Sequence, residues 1–438
     1  MPDEVLALVR CRVASEPFSL SAPEARWIEA LGDHLLRFLR SQNRLYFESV
    51  EGRQPVWVSR CLDAGKPASL VSRARAARSR DTLPVIIRPD LIPTPTGFAI
   101  CELDSVPGGF GLMAALSPHF AALGPRLLTH APVPDAFAAA LTALSDVASP
   151  RVAIVVSAES SDYRGEMSSL ARALRGNGLS ASCVAPGDLR FVDEGVCIFE
   201  HGRLRRIDVI YRFFELFDLP NIANIEPLLH AVDAGAVTIT PPIKPHLEEK
   251  LWLALLHHPA LKQWWWNDLG ADTYASLIQA VPETWLLDPS ATAFPTLTST
   301  GRNLGSWDEL AIATKAERHV VIKPSGFSEY AWGSRGVVIG HDKSRADWTL
   351  ALNKALADFA STPWLLQAFK NGRRVSIRYH EHGAESVMEG RARLTPYYFI
   401  ANGRATLASV MAMVCPLDKK KIHGMPQAVV APCAVETD

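Results

Sequence analysis

Five consecutive aliphatic residues, Val152-Ala-Ile-Val-Val156, constrain this chain more than any other segment. A strand with one wet face alternates apolar and polar residues, whereas an unbroken apolar run predicts a strand buried on both faces, as in a helix-covered parallel sheet. A polar turn follows, then a helix ending near Gly176–Gly178 and a second strand over 181–184. Parallel neighbours require a crossover, and a helix is the usual one. RIDVIYRFFELFDL supplies a further strand that ends in a polar loop. The expected fold class is therefore α/β with α+β character.

Residues 150–240 are read as a small inserted Rossmann-like domain. No GxGxxG follows its first strand, which leaves a dinucleotide site there with little support. The flanks have different rhythms. Residues 1–149 begin with a mainly helical segment, in which Trp27, Ile28, Leu31, Leu35, Leu36, Phe38 and Leu39 recur at helical steps. LPVIIRPD and FAICELD then surround LIPTPTG, which predicts a hairpin closing around residue 96. Residues 241–438 open on a helix and a Trp264–Trp266 triplet read as packing, with His257 and His258 placed at a helix end as cations suited to the dipole. They return to strand signals at RHVVIKP, GVVIG, WLLQAF and RRVSIRYH, the last two read as a hairpin turning at Asn371-Gly372.

Lys plus Arg number 45 and Asp plus Glu 46, so the chain lacks the basic excess of a protein that binds phosphate backbones. Nucleic acid and membrane are not expected as partners: no apolar run reaches membrane-spanning length. The seven cysteines are scattered without CxxC spacing, which is read as reduced thiols in a cytoplasmic protein. Oligomeric state is not legible.

Chemistry-bearing residues concentrate in three places. Arg88-Pro-Asp90 and Glu102-Leu-Asp104 place side chains two apart, hence on one strand face. If the hairpin closes as predicted, Arg88 opposes Asp104 and Asp90 opposes Glu102, gathering three carboxylates and one guanidinium. Such a group suits hard cations such as Mg2+, although ordinary surface ion pairs would use the same spacing. In VIKPSGFSEYAWGSRGVVIG, Lys323 ends an apolar strand, and Gly326, Gly333 and Gly336 punctuate the connection to the next. Strand, Lys, glycine loop, strand can clamp phosphate through backbone N–H groups and a point charge, or can simply be a long hairpin connection. Gln367 follows apolar residues on a strand, and Arg391 and Arg393 lie further on.

In order and spacing these segments resemble the synthetase portion of glutathionylspermidine synthase and its relatives, the circularly permuted ATP-grasp ligases. That family carries Arg-x-Asp and Glu-x-Asn at the interval that here runs from Arg88 to Glu102, then an inserted α/β domain, a Lys at a helix start, a strand-borne Lys with a glycine loop, and a Gln-bearing strand. The resemblance covers roughly residues 80–400. Two features depart from it: Asp104 stands in the usual place of Asn, and the interval from Lys250 to Lys323 is longer. What precedes Arg88 is also too short for the cysteine amidase of the bifunctional members.

The resemblance implies a circularly permuted ATP-grasp fold with the insert at 150–240. It implies Asp90, Glu102 and Asp104 as ligands of Mg2+, expected as two ions, with Lys250 (taken over Lys244) and Lys323 on ATP phosphates. Ser325, Gly326, Gly333, Ser334, Arg335 and Gly336 would form the covering loop, and the chain beside Gln367 would meet adenine. Arg88 with Arg391 or Arg393 would stabilise the transferring phosphoryl group. The implied activity is an ATP-dependent carbon–nitrogen ligase that joins a small-molecule carboxylate to an amine or peptide through an acyl phosphate. A non-catalytic nucleotide-binding protein and a kinase-like phosphotransferase are the alternatives.

Overall fold

A computed structural model of the chain describes residues 3–436 except 105, 194, 293, 298, 299, 332, 334, 382 and 423, so Ser334 lies outside the described residues. The fold is α/β. Its largest sheet has eight strands, running in space Arg12–Val13, Val429–Val435, Arg404–Pro416, Ala384–Ala401, Ile86–Thr94 and Gly97–Asp104. Phe18–Leu20 also pairs with Val429–Val435, and Arg374–Glu381 with Ala384–Ala401. The two short N-terminal strands, too brief to show a pattern in the sequence, thus bring both ends of the chain into one sheet.

The parallel sheet is ordered Thr238–Thr240, Val209–Phe213, Val152–Val156, Ala181–Val184. Its central strand is buried on both faces, as the apolar run requires. Val152, Ile154 and Val156 join the main core, while Ala153 and Val155 join a second cluster with Ile210 and Phe214. The 152–240 segment thus joins the main core through one face of this strand and carries the second cluster on the other. A third, antiparallel sheet runs Thr284–Leu286, Trp364–Ala368, Val320–Pro324, Val338–Ile339, and its own core includes Trp348 and Leu352 from the helix Arg345–Asp358.

Two expectations are corrected here. Trp364–Ala368 and Arg374–Glu381 are not a hairpin: they belong to different sheets, and Asn371-Gly372 lies in the connection between them. A local turn signal cannot tell a hairpin from a passage between sheets. His257 and His258 do end the helix Leu251–His257, but burial lowers both pKa values and so works against the expected charge. His257 instead sits 3.1 Å from the carbonyl of Val281. Of the tryptophan triplet, Trp265 is wholly buried, with its indole N–H donating to Leu255 O at 2.8 Å, Trp264 is partly buried against the core, and Trp266 is exposed.

The 29-residue helix Ala22–Val50 starts with a capping box, in which Ser21 donates to the Glu24 carboxylate, and its inner face packs on the large sheet. Gly32 marks the closest approach. A Cβ there would stand 2.7 Å from the Tyr398 ring, which is itself fixed by its hydroxyl donating to Ile28 O at 2.5 Å. Gly32→Ala is expected to destabilise the protein by roughly 1–2 kcal/mol, because overpacking outweighs the better helix propensity of alanine. Urea unfolding measures it; unchanged or raised stability would mean the ring can move. Among the described residues no helix is long and apolar enough to cross a membrane, and none of the seven cysteines is in a disulfide.

Candidate active site

The carboxylate hairpin has the predicted register. Arg88 pairs with Asp104 and Asp90 with Glu102, after which a bulge at Cys101 shifts Leu91 to Ile100. The hairpin joins the long strand Ala384–Ala401 midway along its edge. That edge is covered by Arg374–Glu381 up to Arg391, and from Leu394 onward by Ile86–Thr94. Arg393 stands at the changeover, and its guanidinium donates to Asp90 Oδ2 at 2.9 Å.

A cleft of about 300 Å³ opens here. The large sheet contributes Arg88, Asp90, Glu102, Asp104 and Arg393, and the antiparallel sheet contributes Lys323 with Gly326 and Gly333 of its loop. Lys250, Glu215, Glu248, Tyr163 and Phe217 complete the lining. Charges of opposite sign interleave. Arg88 bridges Asp104 and, at 3.2 Å, Asp90. Lys250 Nζ is 3.0 Å from Glu102 Oε1 and donates to Ala331 O at 3.2 Å. Lys323 Nζ donates to Gln367 Oε1 at 2.8 Å and to Cys101 O at 3.1 Å, so the bulge residue presents its carbonyl to the lysine.

Burial would raise the pKa of Asp90, but Arg393 and Arg88 outweigh it and hold the carboxyl below its usual range. Burial likewise works against the Lys250 ammonium, yet Glu102 raises its pKa. Glu215 goes the other way: burial first, then the neighbouring Glu248 and Asp104 charges, push its pKa well above the usual carboxylate value. Beside the cleft Glu166 is buried and pushed up to about 7, while its Oε1 accepts from the N–H groups of Gly109 and Gly111 and so secures the turn after the hairpin.

A second, more apolar slot of about 250 Å³ adjoins the cleft and shares Asp90, Glu102, Lys323, Val337 and Arg393 with it. Ile92, Val321, Ile339, Ala368 and Phe369 supply its apolar lining, and Arg391, Lys370 and Lys420 line it as well. Gln367 lies in its wall, but its side chain is occupied between Lys323 and Thr284.

Several predicted residues sit elsewhere. Arg391 faces the slot, held by the carbonyls of Gly372 and Leu417, and only Arg393 reaches the acids. Ser325 is buried with its hydroxyl turned onto Glu249, and Gly336 packs against Pro324 and Tyr330. Neither Ser325, Arg335 nor Gly336 lines the cleft. Lys244 is no rival to Lys250: its buried ammonium donates to Asn43 Oδ1, Arg80 O and Thr82 O. Glu215, Glu248, Tyr163 and Phe217 were not anticipated. They reach the cleft from the carboxyl ends of parallel strands and the connections that follow them, where open α/β sheets hold ligands, but no spacing in the sequence links them to the hairpin.

The expected metal trio, Asp90, Glu102 and Asp104, lies together on the cleft wall. Among the described residues no three His, Cys, Asp or Glu side chains gather as they would around a metal ion. Asp90, Glu102 and Asp104 share a wall, but Arg393, Lys250 and Arg88 have paired with them, because close carboxylates recruit whatever cation is at hand. Even so, the Nε groups of Arg88 and Arg393 are buried without hydrogen-bond partners, and Asp90 Oδ1 has no hydrogen bond beyond its 3.2 Å ion pair with Arg88. Open donors beside an under-used acceptor fit a ligand that brings cation and anion together, such as a magnesium-bound phosphate, better than a bare dication.

No protein-family model matches the chain, and no curated protein matches it. Solved structures do. A glutathione synthetase-like effector from Globodera pallida, solved in its apo form, superposes with a TM-score of 0.61 at 11% identity, covering 99% of this chain and 95% of that one. A protein from Methylobacillus flagellatus KT with a provisional gamma-glutamylcysteine synthetase designation gives a TM-score of 0.42 at 12% identity, over 93% and 85% of the two chains. The chain therefore shares the α/β fold of the glutathione synthetase-like effector, essentially end to end.

Proposed function

We propose that the cleft is the active site of an ATP- and Mg2+-dependent carboxylate–amine ligase of the permuted ATP-grasp, glutathionylspermidine synthase-like type. One observation carries this reading: Arg88, Lys250, Lys323 and Arg393 alternate with Asp90, Glu102 and Asp104 around one cleft beside an apolar slot. The slot takes the base, with the backbone of 367–369 along one edge, and the lysines take the phosphates. Asp90, Glu102 and Asp104 would hold the metal, which when bound neutralises phosphate charge. A substrate carboxylate oxygen attacks the γ-phosphorus and ADP leaves; the amine nitrogen then attacks the acyl carbon and phosphate leaves. Both steps load charge onto oxygens that Arg88 and Arg393 face.

The attacking amine must lose a proton, and Glu215 is placed to receive it. A carboxyl whose pKa is raised is a stronger base than an ordinary one, and Glu215 stands in the cleft lining with Tyr163 and Phe217. Glu215→Gln is expected to lower amide formation by about 10²-fold with ATP affinity unchanged. In the wild type the rate should rise with pH as Glu215 ionises, and the variant should lose that limb. Equal losses in ATP binding and amide formation would remove Glu215 from this role.

The test of the ligase reading is an ADP-release screen over carboxylates and amines with Mg2+, with mass detection of amide. Absence of ATP binding overturns it, and ADP with a phosphorylated product but no amide makes the protein a phosphotransferase. The pairing of every hairpin acid with a protein cation favours a second reading, a nucleotide-binding protein without turnover. ATP binding without metal-dependent ADP release would select it.

A further inference from the structure

An ion pair remote from the large sheet ties the N-terminal helical segment to the cleft. The Lys66 side chain, in the turn between the helices Val56–Asp63 and Ala68–Arg75, is wholly buried, as is Glu249, and the two are ion-paired. Glu249 uses its other oxygen for the Ser325 hydroxyl and, at 2.9 Å, the Gly326 N–H. Ser325 Oγ in turn accepts from Leu251 N at 3.3 Å, and the Lys66 ammonium lies 5.5 Å from the centre of the Phe327 ring. One carboxylate thus fastens the root of the glycine loop to the turn that carries Lys250, the next residue.

The fit is tight on both sides. Gly65 has φ +71° and a Cβ there would lie 1.7 Å from Ser361 O, while a Cβ on Gly326 would lie 1.9 Å from Glu248 O. Neither Gly65 nor Gly326 has room for a side chain at this junction. A buried ion pair is a poor source of net stability, since desolvation offsets most of its attraction, and its best-attested use is to fix one arrangement over others. Here the arrangement sets how Lys250 and the loop face each other. Lys250 spans the gap from Glu102 to Ala331 O, and a phosphate drawing Lys250 away would release Ala331 while the root stays fastened.

We propose that Lys66 is a positioning residue of the candidate site: through Glu249 it holds the root of the glycine loop and the Lys250 turn at the separation that phosphate binding needs. This rests on the ligase reading of the cleft. Without Lys66, Glu249 keeps a buried charge with no counter-ion, the root loosens, and the phosphates are held less well and shielded less from water.

The test uses the full-length protein as wild type, Lys66→Met and Lys66→Arg. Hydrogen–deuterium exchange is read without nucleotide over 325–331 and over the rest of the chain, alongside ADP release and amide formation. Lys66→Met is expected to raise exchange at 325–331 by about tenfold beyond any general increase, as local opening does. It should also raise KM for ATP more than it lowers kcat, and release more ADP per amide formed; Lys66→Arg should restore most of each. If Lys66→Met does not fold, Glu249→Gln takes its place, since it keeps an acceptor for Gly326 but loses the charge. A uniform rise in exchange, or none at 325–331, overturns the proposal. Because exchange is read without nucleotide, a wild type that fails to bind ATP would overturn the ligase reading, while the exchange result would still decide whether Lys66 holds the loop root.

Discussion

Lys323→Met is expected to lower Mg2+- and ATP-dependent ADP release by about 10²–10³-fold, the usual effect of removing one fixed electrostatic donor from a reacting oxygen. Lys323 and Arg393 are the two cations that line both the cleft and the apolar slot, so Lys323 stands where a base in the slot would hand over to phosphates in the cleft. Its ammonium is held by Gln367 and by the Cys101 carbonyl, and its strand is paired through Val321↔Gln367 and Lys323↔Leu365. The charge is thus fixed before any ligand arrives and costs little reorganisation during reaction. Methionine keeps the aliphatic stem, and the two abandoned acceptors cost about 1–3 kcal/mol, which a domain of ordinary stability tolerates. The loss should therefore appear in ATP affinity and ADP release with the unfolding transition still cooperative. Lys323→Arg, which keeps the charge in a different shape, should recover part of the binding. ADP release within a few-fold of wild type for Lys323→Met would place the phosphates somewhere else.

What the sequence showed of this site was what local chemistry encodes. Alternation on a strand put Asp90 with Arg88 and Asp104 with Glu102, so half of the cleft wall was legible from residue order; the Thr94↔Gly97 turn alone would have set Arg88 against Leu103, and the bulge at Cys101 supplies the one-residue shift that brings Asp104 opposite. The unbroken run at Val152–Val156 was legible for the same reason: burial on both faces leaves no polar position. Signals of equal strength misled where partners were distant. Asn371-Gly372 has good hairpin chemistry, yet its two strands find better partners in separate sheets. Ser325 suits a phosphate loop, but a buried carboxylate one residue before Lys250 takes its hydroxyl. The three hairpin acids suit a metal as local chemistry reads them, and the pairing of two of them with Lys250 and Arg393, far away in the chain, could not be read from spacing. Lys66 and Glu215 carry no local mark at all; their environment comes from other segments, Glu249 for Lys66 and Glu248 and Asp104 for Glu215.

Arg88→Met is expected to be the most damaging single change, destabilising the protein by about 3–5 kcal/mol as well as abolishing ADP release. Arg88 is 8% exposed and serves two carboxylates, Asp104 and Asp90. Its removal leaves Asp104 without its cation and Asp90 with Arg393 alone, and a buried charge that has lost its partner costs more than the intact pair contributed. The deficit should depend on pH with a definite sign. In the wild type Asp90 titrates below its usual range, so its pairing stabilises the fold at neutral pH and that contribution disappears as pH falls through the lowered pKa. The variant starts with less of that contribution, so its deficit should be widest near pH 7, begin to narrow only below about pH 4, and close once pH has passed the lowered pKa of Asp90 and its carboxyl is protonated in both proteins. Urea unfolding across this range measures it. Arg88→Met combined with Asp104→Asn separates structure from chemistry: removing the stranded charge should return most of the stability and none of the ADP release, because asparagine relieves the repulsion but supplies no guanidinium to the phosphoryl oxygens. If the double variant recovered both, Arg88 would be a structural counter-ion to Asp104 and nothing more.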